Sequence, residues 1–422
     1  MGTSLTRRVF LLGSAGLAAG CAAPGSASGG PVTVEMWHGQ EDTALDVLKG
    51  LAADFERTHP GIRIDLGGGV LADAMLQKIT AALASGSYPD IAYVFGSDLA
   101  SVARSPQAAE MTEVVDNGPD FWPAAREAVT INGRIRAVPA LLDSLAVVCN
   151  KALFAQAGLP LPADDWRWPD FVAAAAKLTD ASAGRFGTAW PGVGDEDTVW
   201  RLWPMVWDLG GEIIAKDGKH IGFAGDTGVR ALEVVRDLAA AKSVYIDPKS
   251  GSDQMYQAFQ SGAIGMVPTG PWKLPDIVDA GIDYHVVPLP TFTGRPVTIS
   301  GPDTWTVFDN GTERVQAART FLSWLTAPEQ DVRWDTGAGS LPLSHGAQAL
   351  PEWQKATEET EGLSVFVTAL DSARVKPVHP AYPQISQAVG VAIVSVLLGQ
   401  ASPADALRDC AKVADAALLI PR

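Results

Sequence analysis

The sequence predicts an α/β protein folded as two lobes, and three observations carry that expectation. Strand and helix patterns alternate through the first hundred residues or so. Ala137 to Lys151, AVPALLDSLAVVCNK, holds two apolar runs separated by a polar step. The 422 residues are enough for two domains with full cores.

The central stretch organises the rest. Ala137-Val138-Pro139 ends one apolar run, and Pro139 cannot donate to a sheet ladder. Asp143-Ser144 is the polar break. Leu145 to Cys149 is the second run, β-branched at Val147 and Val148 and closed by Asn150-Lys151. Two strands joined by a short polar step can pass a chain from one lobe to the other. The polar residues at the step then lie between the lobes, where ligand pockets often form.

The N-terminus sets the compartment. Residues 1–20 carry Arg7-Arg8 and then an apolar stretch from Val9 to Ala19, too short to span a membrane. This reads as a secretion signal, with Thr6 to Leu11 resembling a twin-arginine type. Ala18-Ala19-Gly20-Cys21 resembles a lipobox, with the usual leucine one place early at Leu17; Cys21 is then the lipidation site. The bland alternative is a buried apolar helix with a chance cysteine. Ala22 to Pro31 is a Gly/Ser/Ala/Pro tether.

Formal net charge is −16, and loss of Arg7 and Arg8 with the signal leaves −18. That argues against nucleic acid as a partner. No later segment approaches a membrane span. Cys149 and Cys410 remain after acylation of Cys21; whether they pair is open at this level.

In order, Val32 to Trp37 is strand one, and Thr43 to Thr58 spaces Leu45, Leu48, Leu51, Ala52 and Phe55 as a helix. Ile62 to Leu66 is a strand, Ala72 to Ser85 a helix, and Ile91 to Phe95 a short buried strand. This βαβαβ order implies a parallel sheet, whose ligands sit beyond the carboxyl ends of the strands. That rule points at Trp37-His38-Gly39-Gln40 and at Phe95-Gly96-Ser97-Asp98. Gly67 to Ala72 forms a G-x-G-x-x-A, with Asp90 about twenty residues on. It follows the second strand rather than the first, so a glycine turn accounts for it better than a dinucleotide site.

Beyond the central stretch, Leu153 to Gly158 is a short helix and Phe171 to Leu178 an Ala-rich one. Asp197 to Leu209 reads as one helix that buries Trp200 and Trp203, with Trp207-Asp208 at its end and able to reach a cleft. Helices at Asp226 to Ala241 and Asp253 to Ser261 precede a strand at Ile264 to Val267, which runs into Gly270-Pro271-Trp272. Tyr284 to Pro290 is a strand at which the chain is expected to recross. Gly301 to Trp305 leads into another strand, followed by helices at Glu313 to Leu325 and Pro328 to Thr336. Gly337 to Pro342 is a glycine-rich turn containing Ser340. Ser372 to Ser386, with Arg374 and Tyr382, reads as irregular, and Ile385 to Leu398 and Pro403 to Leu418 as helices.

Several of these residues together resemble a known family. They are Cys21, Leu76-Gln77-Lys78, Gly86 to Ile91, Ala137-Val138-Pro139 with Asp143-Ser144 and Asn150-Lys151, Gly210-Gly211, Phe259 with Gly262, Gly270-Pro271-Trp272, and Gly339 with Leu341-Pro342. In this order they look like extracellular solute-binding protein family 1, the carbohydrate-type lipoproteins that feed ABC importers. The resemblance implies a two-lobe, type II periplasmic-binding-protein-like fold. Each lobe would be a mostly parallel sheet flanked by helices, and a hinge would join them. The implied lobes are 32–140 with 288–340, and 141–287 with 341–422. It also implies an ABC permease and ATPase as partners, a sugar or less commonly a glycerophosphodiester as ligand, no cofactor, and a lipid anchor on the outer face of the bacterial membrane. Cys149 departs from the family, which usually has an aromatic residue before Asn-Lys.

A sugar offers apolar faces and a belt of hydroxyls, so it asks for aromatic platforms and for carboxylates or amides at its edge. Asp98, Asp143 and Asp208 are the expected edge acceptors. Gln40, Ser97, Ser144 and the backbone at Gly270 and Gly301 suit hydroxyls. Phe95, Trp272 and Trp305 are expected platforms, with Trp37 and Trp207 behind them. His38, Ser340, Arg374 and Tyr382 complete the set. Asp98 and Asp143 together would suit an amino sugar, whereas Arg374 and an aromatic cage would suit glycerophosphocholine. A secreted glycosidase is the rival class, because Asp98 and Asp143 could meet across a glycosidic bond. The six histidines show no metal-ligand spacing, and no G-x-S-x-G elbow occurs.

Overall fold

The computed structural model describes residues 30–40, 42–67, 72–249 and 252–420. The signal segment, Cys21, the tether up to Gly29 and most of the glycine turn after the second strand lie outside the described residues.

The strands are β1 (Val32–Trp37), β2 (Ile62–Gly67), β3 (Ile91–Val94), β4 (Thr130–Ile131), β5 (Arg134–Ile135), β6 (Val138–Leu141), β7 (Ala146–Asn150), β8 (Thr188–Pro191), β9 (Val244–Asp247), β10 (Met266–Thr269), β11 (Tyr284–Pro288), β12 (Thr298–Ser300), β13 (Asp303–Val307) and β14 (Ala373–Val375). The first lobe is built on the sheet β2-β1-β3-β13-β6. The second is built on β10-β7-β11, extended by β8-β9 through the parallel bridge Phe186–Ile264 and the Gly265 N–Phe186 O bond of 2.9 Å.

In both sheets one strand runs against the others. β1, β2 and β3 are parallel, and β13 is antiparallel to β3 and to β6. β8 and β9 are parallel, and β7 is antiparallel to β10 and to β11. The reversed strands are the two that arrive from the other lobe. β6 ends at the cleft, so β7 must start there and run away, and the same holds for β13 after β12. The carboxyl ends of the other strands therefore face the cleft, as the rule for open α/β sheets requires.

The elements follow the apolar periodicity. The helix Asp42–Thr58 buries Leu48, Leu51 and Phe55 on one face, each contributing roughly 1.5–3 kcal/mol on burial. β7 is buried along its whole length between two strands, which accounts for its unbroken apolar run. Pro139 sits in the edge strand β6, where a missing donor costs least. Asp90, the acid of the apparent nucleotide motif, accepts from Glu35 N at 2.7 Å and from Arg314 Nε at 3.0 Å, so it is a structural tie.

Three expectations are corrected. The chain does not recross at Tyr284 to Pro290: β11 stays in the second sheet, and Asp208 holds the following loop through Phe292 N and Thr293. Recrossing occurs at Gly301–Pro302, so 288–300 belongs with the second lobe. Residues 341–359 pack on the first lobe instead: Leu341 N donates to Leu142 O at 2.9 Å and Trp122 N to Leu343 O at 3.0 Å. The third crossing is at 360–362, where Glu361 meets Lys151 at 2.9 Å. Gly362 is required there, having φ of 80° and a Cβ position 2.1 Å from Val286 Cγ2. Finally, the long tryptophan helix is two short ones, Glu196–Trp200 and Trp203–Asp208, with Pro204 in the first turn of the second.

Cys149 and Cys410 are both free and buried, and burial raises both thiol pKa values, that of Cys410 to about 12. Among the described residues no helix is long and apolar enough to cross a membrane.

Candidate ligand-binding cleft

Between the lobes lies a cleft of about 600 Å³. The first lobe contributes Phe95, Ser97 and Asp98 after β3, Leu141 to Asp143 at the end of β6, Asp303, and Ala338 to Ser340. The second contributes Asp195-Glu196-Asp197, Trp200, Tyr256, Trp272 and Lys273. Gly301 stands where the chain crosses, and Lys376 follows β14.

The crossings fix the acids. Asp143 is 7% exposed, and its Oδ1 accepts from Gly301 N at 2.7 Å. Burial raises its pKa to about 7; the Gly301 bond opposes this, the charge of Asp303 adds to it and Lys376 again opposes it. Asp303 accepts from the Tyr93 hydroxyl at 2.5 Å and from Gly96 N at 3.2 Å. Burial raises it to about 6, against the Tyr93 bond. Gly96 has to be glycine, because a Cβ would lie 2.5 Å from Pro302 O.

The second lobe supplies aromatic walls and a braced carboxylate. Trp200 and Trp272 meet edge to face, 6.0 Å apart at 70°. Each ring rests over a glycine. A Cβ on Gly301 would lie 2.1 Å from Trp200 Cζ2, and one on Gly270 would lie 1.8 Å from Trp272 Cζ3. Glu196 Oε1 accepts from the Tyr382 hydroxyl at 2.8 Å and from Lys376 Nζ at 3.2 Å, while Oε2 accepts from Ser386. Asp197 pairs with buried Arg201 at 3.0 Å and accepts from Ser252. Lys273 lies 4.8 Å over the Tyr256 ring.

Of the residues singled out from sequence, the cleft brings together Phe95, Ser97, Asp98, Asp143, Trp272, Gly301 and Ser340. The others stand elsewhere. Trp37 holds Glu35 at 2.8 Å under Lys78, and buried His38, its pKa lowered chiefly by that burial, accepts from Gln40 N at 3.3 Å. Ser144 donates to Phe366 O at 2.9 Å. Trp207 is buried beneath Arg374, which pairs with Glu212 at 2.7 Å. Asp208 is the loop tie described above. Gly270 serves the Trp272 ring. Trp305, 1% exposed, is core packed on Tyr93 at 5.0 Å. Tyr382 begins the helix Tyr382–Leu397 rather than lying in an irregular stretch, and it sits behind Glu196.

The missed lining residues include Asp195 to Asp197, Trp200, Tyr256, Lys273, Asp303 and Lys376. The acidic triplet follows β8 after Gly192-Val193-Gly194, so the carboxyl-end rule applied to that strand would have found it.

Two α/β lobes, three crossings and an aromatic, carboxylate-lined cleft between them define a two-lobed binding protein. The family model for bacterial extracellular solute-binding proteins matches residues 41–332, and the chain belongs to that family. A putative binding protein of Brucella abortus (strain 2308) is 25% identical over 370 residues, covering 86% of this chain and 88% of its own. A maltooligosaccharide ABC transporter solute-binding lipoprotein of Streptococcus pneumoniae (strain R6) is 23% identical over 336 residues, covering 78% and 75%. The crystal structure of the cyclic alpha-maltosyl-1,6-maltose binding protein from Arthrobacter globiformis superposes with a TM-score of 0.80 at 26% identity, covering 92% of this chain and 99% of that one.

Proposed function

We propose that the chain captures a mono- or oligosaccharide by closure of the two lobes and delivers it to an ABC permease driven by its ATPase subunits. The observation that carries this is the edge-to-face pair Trp200 and Trp272 lining a cleft that also holds Glu196 beside them and Asp98 and Asp143 on the first-lobe side. Stacked rings suit sugar faces, and Glu196, Asp98 and Asp143 suit hydroxyls. Each charge-assisted hydrogen bond contributes roughly 1.5–3 kcal/mol, so three or four such bonds and one stacked ring reach the ~8 kcal/mol of micromolar affinity. In this reading Cys21 carries the lipid that holds the mature protein at the outer face of the membrane, and the sugar leaves unaltered.

A glycerophosphodiester fits less well. Six carboxylates and two lysines line the cleft, a charge balance that opposes a phosphate. Arg374, its expected partner, lies outside the lining, paired with Glu212. A thermal-shift screen of sugars and glycerophosphodiesters tests the proposal. A sugar that binds the native state raises Tm by mass action, by about 2.7 kcal/mol of stability at a hundredfold excess over Kd. Shifts with phosphodiesters alone, or release of reducing ends from an oligosaccharide, would contradict it.

A further inference from the structure

The cleft has an uneven distribution of charge. Four of its six carboxylates lie on or beside the second lobe's acidic triplet and after β3, and Glu196 and Asp197 have cationic partners in Lys376 and Arg201. Asp143, on the first crossing, and Asp303, on the second, have no lysine or arginine within ion-pair distance among the described residues. They are neighbours in the fold. Asp143 is fastened to Gly301 N at 2.7 Å, Asp303 follows two residues on, and the backbone of Asp303 pairs with Leu141. Both line the cleft, and Asp143 is more than nine-tenths buried.

A buried carboxylate without a counter-charge is costly, and the cost is removed by a cation that arrives in the cavity. The groups that face this pair come from every element around it: Tyr93 on β3, Asp98 after it, Glu196 on the second lobe, and Lys376 after β14. Lys376 is the positive charge felt at both acids, yet its ion pair is with Glu196. The walls are aromatic, and rings such as Trp200, Trp272 and Phe95 attract cations as well as sugar faces.

We infer that the sugar taken by this cleft carries a basic nitrogen, and that its ammonium lies against Asp143 and Asp303, supplying the positive charge that the protein leaves out. This rests on the reading of the cleft as a sugar site. The raised pKa values of the two acids agree with it, since an acid pair held partly protonated when empty ionises when a cation arrives and gives up protons to solvent.

The test is titration calorimetry on the mature protein with matched glucose and glucosamine oligosaccharides, α- and β-linked. On the backbone that binds best, the amino sugar is expected to bind about tenfold or more tighter than its hydroxyl counterpart. At about pH 6, proton release is expected for the amino sugar and little for the neutral one. Asp143→Asn and Asp303→Asn, which keep the hydrogen-bond acceptor, should each pull the amine-to-hydroxyl ratio towards one. Equal or tighter binding of the neutral sugar, or a ratio unmoved by both substitutions, overturns the inference and leaves the sugar reading standing. If no sugar of either kind binds, both fall.

Discussion

The Tyr382 hydroxyl donates to Glu196 Oε1 at 2.8 Å, joining the first turn of a C-terminal helix to a carboxylate on the cleft wall. Trp203 Nε1 in turn donates to the Tyr382 oxygen at 3.0 Å. Glu196 is thus held from behind by residues that do not line the cleft, in addition to its ion pair with the cleft residue Lys376. Tyr382→Phe should leave both Glu196 and the Trp203 indole short of a partner. The expected cost is about 1–3 kcal/mol in denaturant unfolding, with weaker sugar binding alongside. An unchanged Kd would show that Glu196 does not need this brace.

Gly301 carries the Trp200 ring. A Cβ there would lie 2.1 Å from Cζ2, so Gly301→Ala must displace the indole or the crossing strand. Loss of sugar affinity with retained folding is expected, measured by calorimetry beside circular dichroism. An alanine variant that binds as tightly as the wild type would mean that the ring position does not matter.

Trp272 and Trp305 separate a wall from a core. Trp272 is partly exposed in the cleft, whereas Trp305 is buried against Tyr93 and Trp334. Trp272→Ala should cost about 2 kcal/mol of binding or more and little stability. Trp305→Ala should cost about 3–5 kcal/mol of stability. The reverse pattern in paired thermal and binding measurements would contradict both placements.

Stability should fall as pH rises from about 4 to about 7. The carboxyls of Asp143 and Asp303 titrate at about 7 and about 6 when folded, above the usual range of an exposed aspartate. Between those limits these two carboxyls hold more protons folded than unfolded, so they contribute a negative slope, which His38, lowered by burial, opposes at the upper end. The buried neighbours Asp331 and Asp335, both raised chiefly by burial, act in the same direction. Urea midpoints across this range check the sign. Asp143→Asn should flatten the slope, and a midpoint that rises through the window would refute the assignment.

The local elements were legible because their signals are local. β1, the helix Ala72–Ser85 and the helix Pro403–Leu418 follow from apolar period and flanking Gly, Pro or Ser. The crossing at Gly301–Pro302 was not legible, because it is fixed by Asp208 reaching the loop after β11, a contact of 84 residues' separation. Trp200 and Trp305 show the same limit at the site. Trp200, in a helix, reads as core and is buried as expected, but its ring over Gly301 also lines the cleft; Trp305 follows a turn and reads as cleft, and its packing on Tyr93 makes it core instead. Asp143 was legible because a polar break between two apolar strands marks the point where a chain leaves one sheet for another.

A crystal structure of the mature protein, grown with a saturating sugar that raises its Tm, would decide where the ligand sits. A sugar ring is expected against Trp200 or Trp272, with hydroxyl or amino groups on Glu196 or Asp143 and the two lobes drawn together around it. Density for the sugar outside the interlobe cleft, or a cleft still empty at saturation, would contradict this placement.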